Sequence, residues 1–294
     1  MRNGFIVATV CVALGIAAAA QAQFVSPVHL VPVVAKTAGA AGTDWMTSMA
    51  ISNVSASPAP MMALFFKEKQ ANSLFGVPTH QFTVGAGQTI TVQDVLGTWF
   101  PQQGNTKGAL LLLPSDGGEE GPNLAVMTRI FNNANPAATY GQAIPSSFVN
   151  LIIGRGTAVL TGARQDGAFR SNVGVVNISL TTISVIITTY NASGAQVAQV
   201  TKSVEPLSLR QYSMSELGVT TLAPAGRVEV TVDPATITWD PCDQDPTGLA
   251  SAFAMFMSYI SRVDQSTGDS EFALGLADWE EYVAECGEEP NDCP

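Results

Sequence analysis

Phe169-Arg170-Ser171-Asn172-Val173-Gly174-Val175-Val176-Asn177-Ile178-Ser179 has a counterpart earlier in the chain, Trp45-Met46-Thr47-Ser48-Met49-Ala50-Ile51-Ser52-Asn53-Val54-Ser55. The two align without a gap, Trp45 on Phe169. Asn53/Asn177 and Ser55/Ser179 are identical. Trp/Phe, Thr/Ser, Ser/Asn, Met/Val, Ala/Gly, Ile/Val and Val/Ile preserve size or chemistry. Both copies alternate: Trp45, Thr47, Met49 and Ile51 share one face, as do Phe169, Ser171, Val173 and Val175. Period two is the signature of a half-buried β-strand. The repeat therefore predicts a duplicated β-domain.

The flanking segments follow the same order twice. Residues 29–35 and 157–164 read as the strand before the repeated one. Residues 61–66 and 183–190 read as the strand after it, with Phe66 aligned on Tyr190. Then come strands at 80–84 and 89–92, and at 196–204 and 207–212. Asp94-Val95-Leu96-Gly97 and Ser215-Glu216-Leu217-Gly218 read as short helical turns, with Asp94 as a cap. Strands at 108–113 and 124–131 match those at 227–232 and 252–263, and residues 271–274 add a last short one. Pro32 removes a ladder donor, which places it at an edge or a bulge. About seven short strands per repeat, bounded by turn signals, predict a sandwich. The expected fold is all-β: two tandem immunoglobulin-like β-sandwich domains from an internal duplication. We divide the chain into a signal peptide at 1–22, repeat one at 23–147 and repeat two at 148–294, with a linker near 143–156. Residues 278–286 predict a short C-terminal helix, because Trp279, Tyr282 and Val283 recur at helical spacing.

The first residues read as an export signal. Arg2 is the positive start, residues 5–20 are apolar or small, and Ala20-Gln21-Ala22 is a cleavage site. No later stretch approaches the uninterrupted apolar span of about 20 residues that crosses a membrane. The expected location is secreted, periplasmic or on the cell surface. With 13 basic against 24 acidic residues the formal net charge is −11. Such a chain has no basic stripe to neutralise phosphates, so nucleic acid is excluded as a partner.

The F-R-[ST]-N-x-G-x-x-N strand at 169–177, the D-V-L-G turn at 94–97 and Thr267-Gly268-Asp269 carry a resemblance. The chain resembles a group of secreted bacterial proteins over essentially the whole mature sequence. The resemblance implies tandem immunoglobulin-like sandwiches and export, and no established chemistry. Repeat one departs from the pattern, with Trp45-Met46 where the family has Phe-Arg. A role for Arg170 would therefore belong to one domain only.

The candidate chemistry is sparse. His29 and His80 are the two histidines, no G-x-S-x-G elbow occurs, and three zinc ligands cannot be assembled from a spacing motif. Asp233, Asp240, Asp243 and Asp245 surround Cys242 in one late loop. Hard oxygen ligands in such loops hold calcium in many secreted sandwiches; the other reading is a solvated acidic loop. Three cysteines survive signal cleavage, and export favours a disulfide. Cys242 with Cys286 is the preferred pairing and Cys286 with Cys293 the local alternative, leaving one thiol over. Trp99 and Phe100 read as a plug at the bottom of domain one, the alternative being loop aromatics for sugar stacking. The sequons at Asn53, Asn177 and Asn191 read as turn formers. No cofactor is expected, calcium at the acidic loop being the alternative. The expected function is non-catalytic: an exported, adhesion-like module presenting loops to a protein or glycan partner. The alternatives are a self-associating structural subunit and a secreted hydrolase using loop carboxylates.

Overall fold

The computed structural model describes residues 25–39, 42–115, 121–147, 152–153, 156–236 and 254–277. The expected signal peptide and C-terminal helix, Asp240, Asp243, Asp245 and all the cysteines lie outside these residues.

Repeat one holds β1 (His29–Ala38), β2 (Asp44–Asn53), β3 (Ala59–Lys67), β4 (Thr79–Val84), β5 (Thr89–Val92), α1 (Val95–Trp99), β6 (Thr106–Pro114), β7 (Leu124–Asn132) and β8 (Tyr140–Ile144). Repeat two holds β9 (Ile152–Ile153), β10 (Thr157–Gln165), β11 (Phe169–Asn177), β12 (Ile183–Tyr190), β13 (Gln196–Val204), β14 (Ser208–Ser213), β15 (Leu222–Val232), β16 (Met255–Asp264), β17 (Ser270–Leu274) and β18 (Leu276–Ala277). The chain is all-β, and α1 is the one α-helix among the described residues. Every strand pairing among them is antiparallel.

The duplication extends to the topology. In repeat one β4-β3-β6-β1 form one sheet and β5, β2, β7 and β8 the other, and the end of β1 pairs with β2 to link them. In repeat two β13-β12-β15-β10 and β14-β11-β16-β17 repeat both orders. Pairing of the second strand with the fifth, and of the third with the sixth, is that of an immunoglobulin sandwich. The first strand departs by running along the sixth, and the seventh by running along the second.

Each sandwich is filled by the alternating residues of its inner faces. Met49, Ile51 and Val126 meet Met61, Phe65, Leu110 and Leu112 in repeat one. Val173, Val175 and Phe256 meet Val185, Ile187, Val228 and Val230 in repeat two. The register of β1 on β6 shifts between Val31 and Val34, a bulge at Pro32 as its missing donor requires.

The repeated strand carries two buried polar devices, each present twice. Thr47 Oγ1 accepts from the backbone N–H of Ala35 (2.7 Å) and donates to its carbonyl (2.9 Å). Ser171 does the same for Arg164, at 3.0 and 2.7 Å. Each hydroxyl thereby satisfies a residue of the preceding strand. Asn53 Nδ2 donates to the carbonyls of Ser57, Val84 and Gly85, and its Oδ1 accepts from Ser55 N–H. Asn177 Nδ2 donates to those of Thr181, Val204 and Glu205, and its Oδ1 accepts from Ser179 N–H. Both asparagines are buried and tie the end of one sheet to the turn that leaves the other.

Two elements depart from the expectation, while a third follows it. Part of the expected linker is strand: β8 ends at Ile144 and β9 is Ile152–Ile153. Tyr140-Gly141-Gln142-Ala143-Ile144 lacks a β-branched run, and what makes it a strand is pairing with β7. Asp94 caps α1 as expected, accepting from Gly97 N–H at 2.8 Å.

Candidate functional site

The two sandwiches share a junction. The outer face of β14-β11-β16-β17 lies on the outer face of β3-β6-β1, so the four sheets stack in layers. Val176, Leu207, Leu209, Met257 and Tyr259 of repeat two belong to the same buried cluster as Phe66 and Ala109 of repeat one. Polar contacts bind the two together. Lys69 N–H donates to Leu209 O (3.0 Å), Asn72 Nδ2 to Leu207 O (2.7 Å) and Ser208 Oγ to Lys67 O (3.0 Å). Gly174 is required here: a Cβ at this position would overlap the Tyr259 ring, which also stacks on Phe272 at 4.7 Å.

The docking faces differ from their counterparts in the other repeat. Gly174, Val176, Leu209, Met257 and Tyr259 stand where repeat one has Ala50, Ser52, Thr89, Ala125 and Met127. On the receiving side Leu64, Phe66, Ala109 and Leu111 stand where repeat two has Thr188, Tyr190, Arg227 and Glu229. Arg227 there pairs with Glu229 at 2.9 Å and lies over the Tyr190 ring at 4.3 Å. The faces are thus apolar where covered and more polar at the two outer ends of the stack, which disfavours further stacking of copies.

At one end the junction opens into a cavity of about 210 Å³. Repeat one contributes Val33, Ala35 and Thr37 of β1, together with Trp45, Lys107, Ile130 and Gln142. Repeat two contributes Arg170 and Asn172 of β11, Gln211 of β14, Tyr259, Ser261 and Val263 of β16, and Ser270 of β17. Strand period explains the set, since Arg170, Asn172 and Gly174 share one face and pair laterally with Val263, Ser261 and Tyr259. Lys107 Nζ pairs with Glu68 (3.1 Å) and donates to Gln211 Oε1 (2.7 Å). Ser261 Oγ donates to Gln142 Oε1 at 3.2 Å. The Arg170 side chain is exposed and makes no ion pair or hydrogen bond among the described residues. Burial pushes the Tyr259 phenol well above its ordinary pKa, Glu68 adding to the effect, so it stays neutral. The lining holds two cations and no carboxylate.

The histidines have structural roles. His29 is buried; its Nε2 contacts the carbonyls of Leu124 (2.9 Å) and Ser26 (3.0 Å) and its Nδ1 meets Ser146 Oγ (3.1 Å). A neutral ring carrying its proton on Nε2 satisfies all three. Burial lowers its pKa, outweighing the two carbonyls, which raise it. The unfolded chain then binds the proton more readily than the folded one. This contribution to stability is full above the ordinary value of 6.5 and is lost as the pH falls through the lower folded-state pKa. Urea midpoints should therefore drop on acidification from about pH 7.5 to about pH 5, with a shallower slope in His29→Gln. His80 stacks on Trp99 at 5.1 Å, and Trp99 and Phe100 are buried, so they plug the sandwich as expected.

Of the other expected site residues, Asp233 alone is among those described. Asp233 accepts from Ala235 N–H at 3.0 Å and shapes a 3-10 turn, Pro234–Thr236. The rest of the expected calcium set, Asp240, Asp243 and Asp245, and the expected Cys242–Cys286 pair lie outside the described residues. Among the described residues no group of three or more His, Cys, Asp or Glu side chains could hold a metal ion. Likewise no helix among them is long and apolar enough to cross a membrane. Asn53 and Asn177 spend their side chains on turns, as does Asn191, whose Oδ1 accepts from Ser193 N–H at 3.0 Å. The cavity was missed because its halves come from faces of different repeats. Met46 aligned on Arg170 was its one signal.

The chain matches no family model and no curated protein. Among solved structures, Thermotoga maritima 1070 is similar at a TM-score of 0.30 and 13% identity, over 42% of this chain and 94% of that one. Procruciferin, an 11S globulin of Brassica napus, is similar at 0.23 and 7%, over 85% and 75%. A single-residue variant of the Bacillus subtilis oxalate decarboxylase is similar at 0.21 and 9%, over 90% and 74%. Likeness of this degree carries no argument about function.

Proposed function

We propose that the protein is a non-catalytic exported binding protein, an adhesion-like module that holds a protein or glycan partner outside the cytoplasm. The observation that carries this reading is the junction cavity, whose hydrogen-bonding side chains come from both sandwiches. Both histidines are committed to packing or to backbone carbonyls, which supports binding over acid–base chemistry. The export signal and the resemblance through the strand at 169–177 support the location. The polar outer faces of the stack weigh against a subunit that assembles by continuing it.

The test is a panel of glycans and envelope proteins presented to the mature chain, residues 23–294, with calcium and with chelator. Retention without product release is expected. Turnover that disappears when one loop carboxylate is replaced would transfer the protein to the hydrolases. A defined oligomer in light scattering, with no retention on the panel, would favour the structural subunit. Loss of retention in chelator would support calcium binding, for which Asp233, Asp240, Asp243 and Asp245 are the candidate ligands.

A further inference from the structure

We infer that the junction cavity is a site for a small carboxylated polyol, such as a sugar acid, with its carboxylate on Arg170. The inference rests on the binding reading and names the ligand class and the residue that selects it. Charge is the first argument. The chain has 24 acidic and 13 basic residues, yet the cavity lining has Arg170 and Lys107 and no acid. Lys107 is already engaged by Glu68 and Gln211, whereas the Arg170 guanidinium has no partner among the described residues. A guanidinium presents a planar fork that matches a carboxylate at two points.

The remaining lining suits hydroxyls. Asn172, Gln142, Ser261 and Ser270 offer donors and acceptors of both kinds. Trp45 supplies an apolar wall against which the C–H face of a sugar ring can lie. At about 210 Å³ the cavity is below the range of roughly 300–1,000 Å³ usual for drug-sized ligands. A single sugar acid or the end residue of a chain is the matching size. Repeat one lacks the counterpart, because Met46 stands in place of the arginine and no described part of repeat two stacks on its face.

The experiment is calorimetric titration of the mature chain with galacturonate, galactose, acetate and polygalacturonate, repeated with Arg170→Gln. Arg170 is exposed, so the variant should fold, and an unchanged melting curve verifies it. Galacturonate should bind, galactose and acetate at least about tenfold more weakly. Arg170→Gln should weaken galacturonate about ten- to a hundredfold and leave galactose unchanged. Binding of the polymer in proportion to its chain ends would identify the terminal residue of a glycan as the source; binding of the free acid alone would identify the monomer. Equal affinity for galactose and galacturonate, no effect of Arg170→Gln, or no galacturonate binding would each overturn the inference. Retention on the panel undiminished in Arg170→Gln would overturn it while leaving the binding reading in place; no retention on any ligand would remove that reading too.

Discussion

Replacing Asn177 with aspartate should destabilise the second sandwich more than any other single polar substitution in the repeated strand. Asn177 Nδ2 faces the carbonyls of Thr181, Val204 and Glu205 at 2.8, 3.1 and 3.0 Å. Alanine leaves these oxygens and the Ser179 N–H without their partner. At about 1–3 kcal/mol for each group left buried and unpaired, with some reached by water, a loss of about 3–5 kcal/mol follows. Aspartate is worse at neutral pH, because it points a charged acceptor at three acceptors. Burial among carbonyls raises its pKa in the folded state. The extra penalty over alanine should then be absent well below the unfolded value of about 3.9 and grow as the pH rises past it. Denaturant unfolding of both variants across pH reads this directly. Asn53→Asp should repeat the pattern in the first sandwich, since Asn53 makes the same four bonds. A loss below about 1 kcal/mol in both would mean that the asparagines do not tie the sheets together.

The second large effect lies at the junction. Gly174→Val places a branched side chain where the Tyr259 ring lies, between β11 and the first sandwich. The ring cannot retreat, because it is fully buried and stacked on Phe272. Overpacking of this kind costs about 1–3 kcal/mol, and separating the docked faces adds the exposure of Val176, Leu209 and Met257. The expected outcome is two unfolding transitions in the variant and one in the parent protein. Tyr259→Phe is the control. Its hydroxyl has no hydrogen-bond partner among the described residues, so its removal should be neutral or slightly stabilising.

Much of the fold was legible from alternation. The strand at 183–190 falls where the alignment of the repeats placed it, that at 196–204 follows in the expected order, and Pro32 marked its bulge. Strands β8 and β18 were not legible, because they are short and made strand by their neighbours. The junction was legible only in a different way. Likeness between the repeats revealed the duplication, but their differences encode the docking. Phe66 against Tyr190, Ala109 against Arg227 and Ala50 against Gly174 each record a face that, among the described residues, the other repeat covers in one repeat and not in its counterpart. Arg170 was singled out as belonging to one domain, but nothing in the strand pattern said that Lys107 and Gln142 would stand across from it. That depends on which outer faces meet, a long-range choice set by apolar area.

The most direct test of a ligand site at the junction is an amide and indole NMR titration of labelled residues 23–294 with galacturonate. Shifts should concentrate on Arg170, Asn172, Gln211, Ser261 and Ser270, with the Trp45 indole moving alongside them. Shifts confined to residues 115–121 or 237–253, with the junction signals unmoved, would contradict a site at the junction.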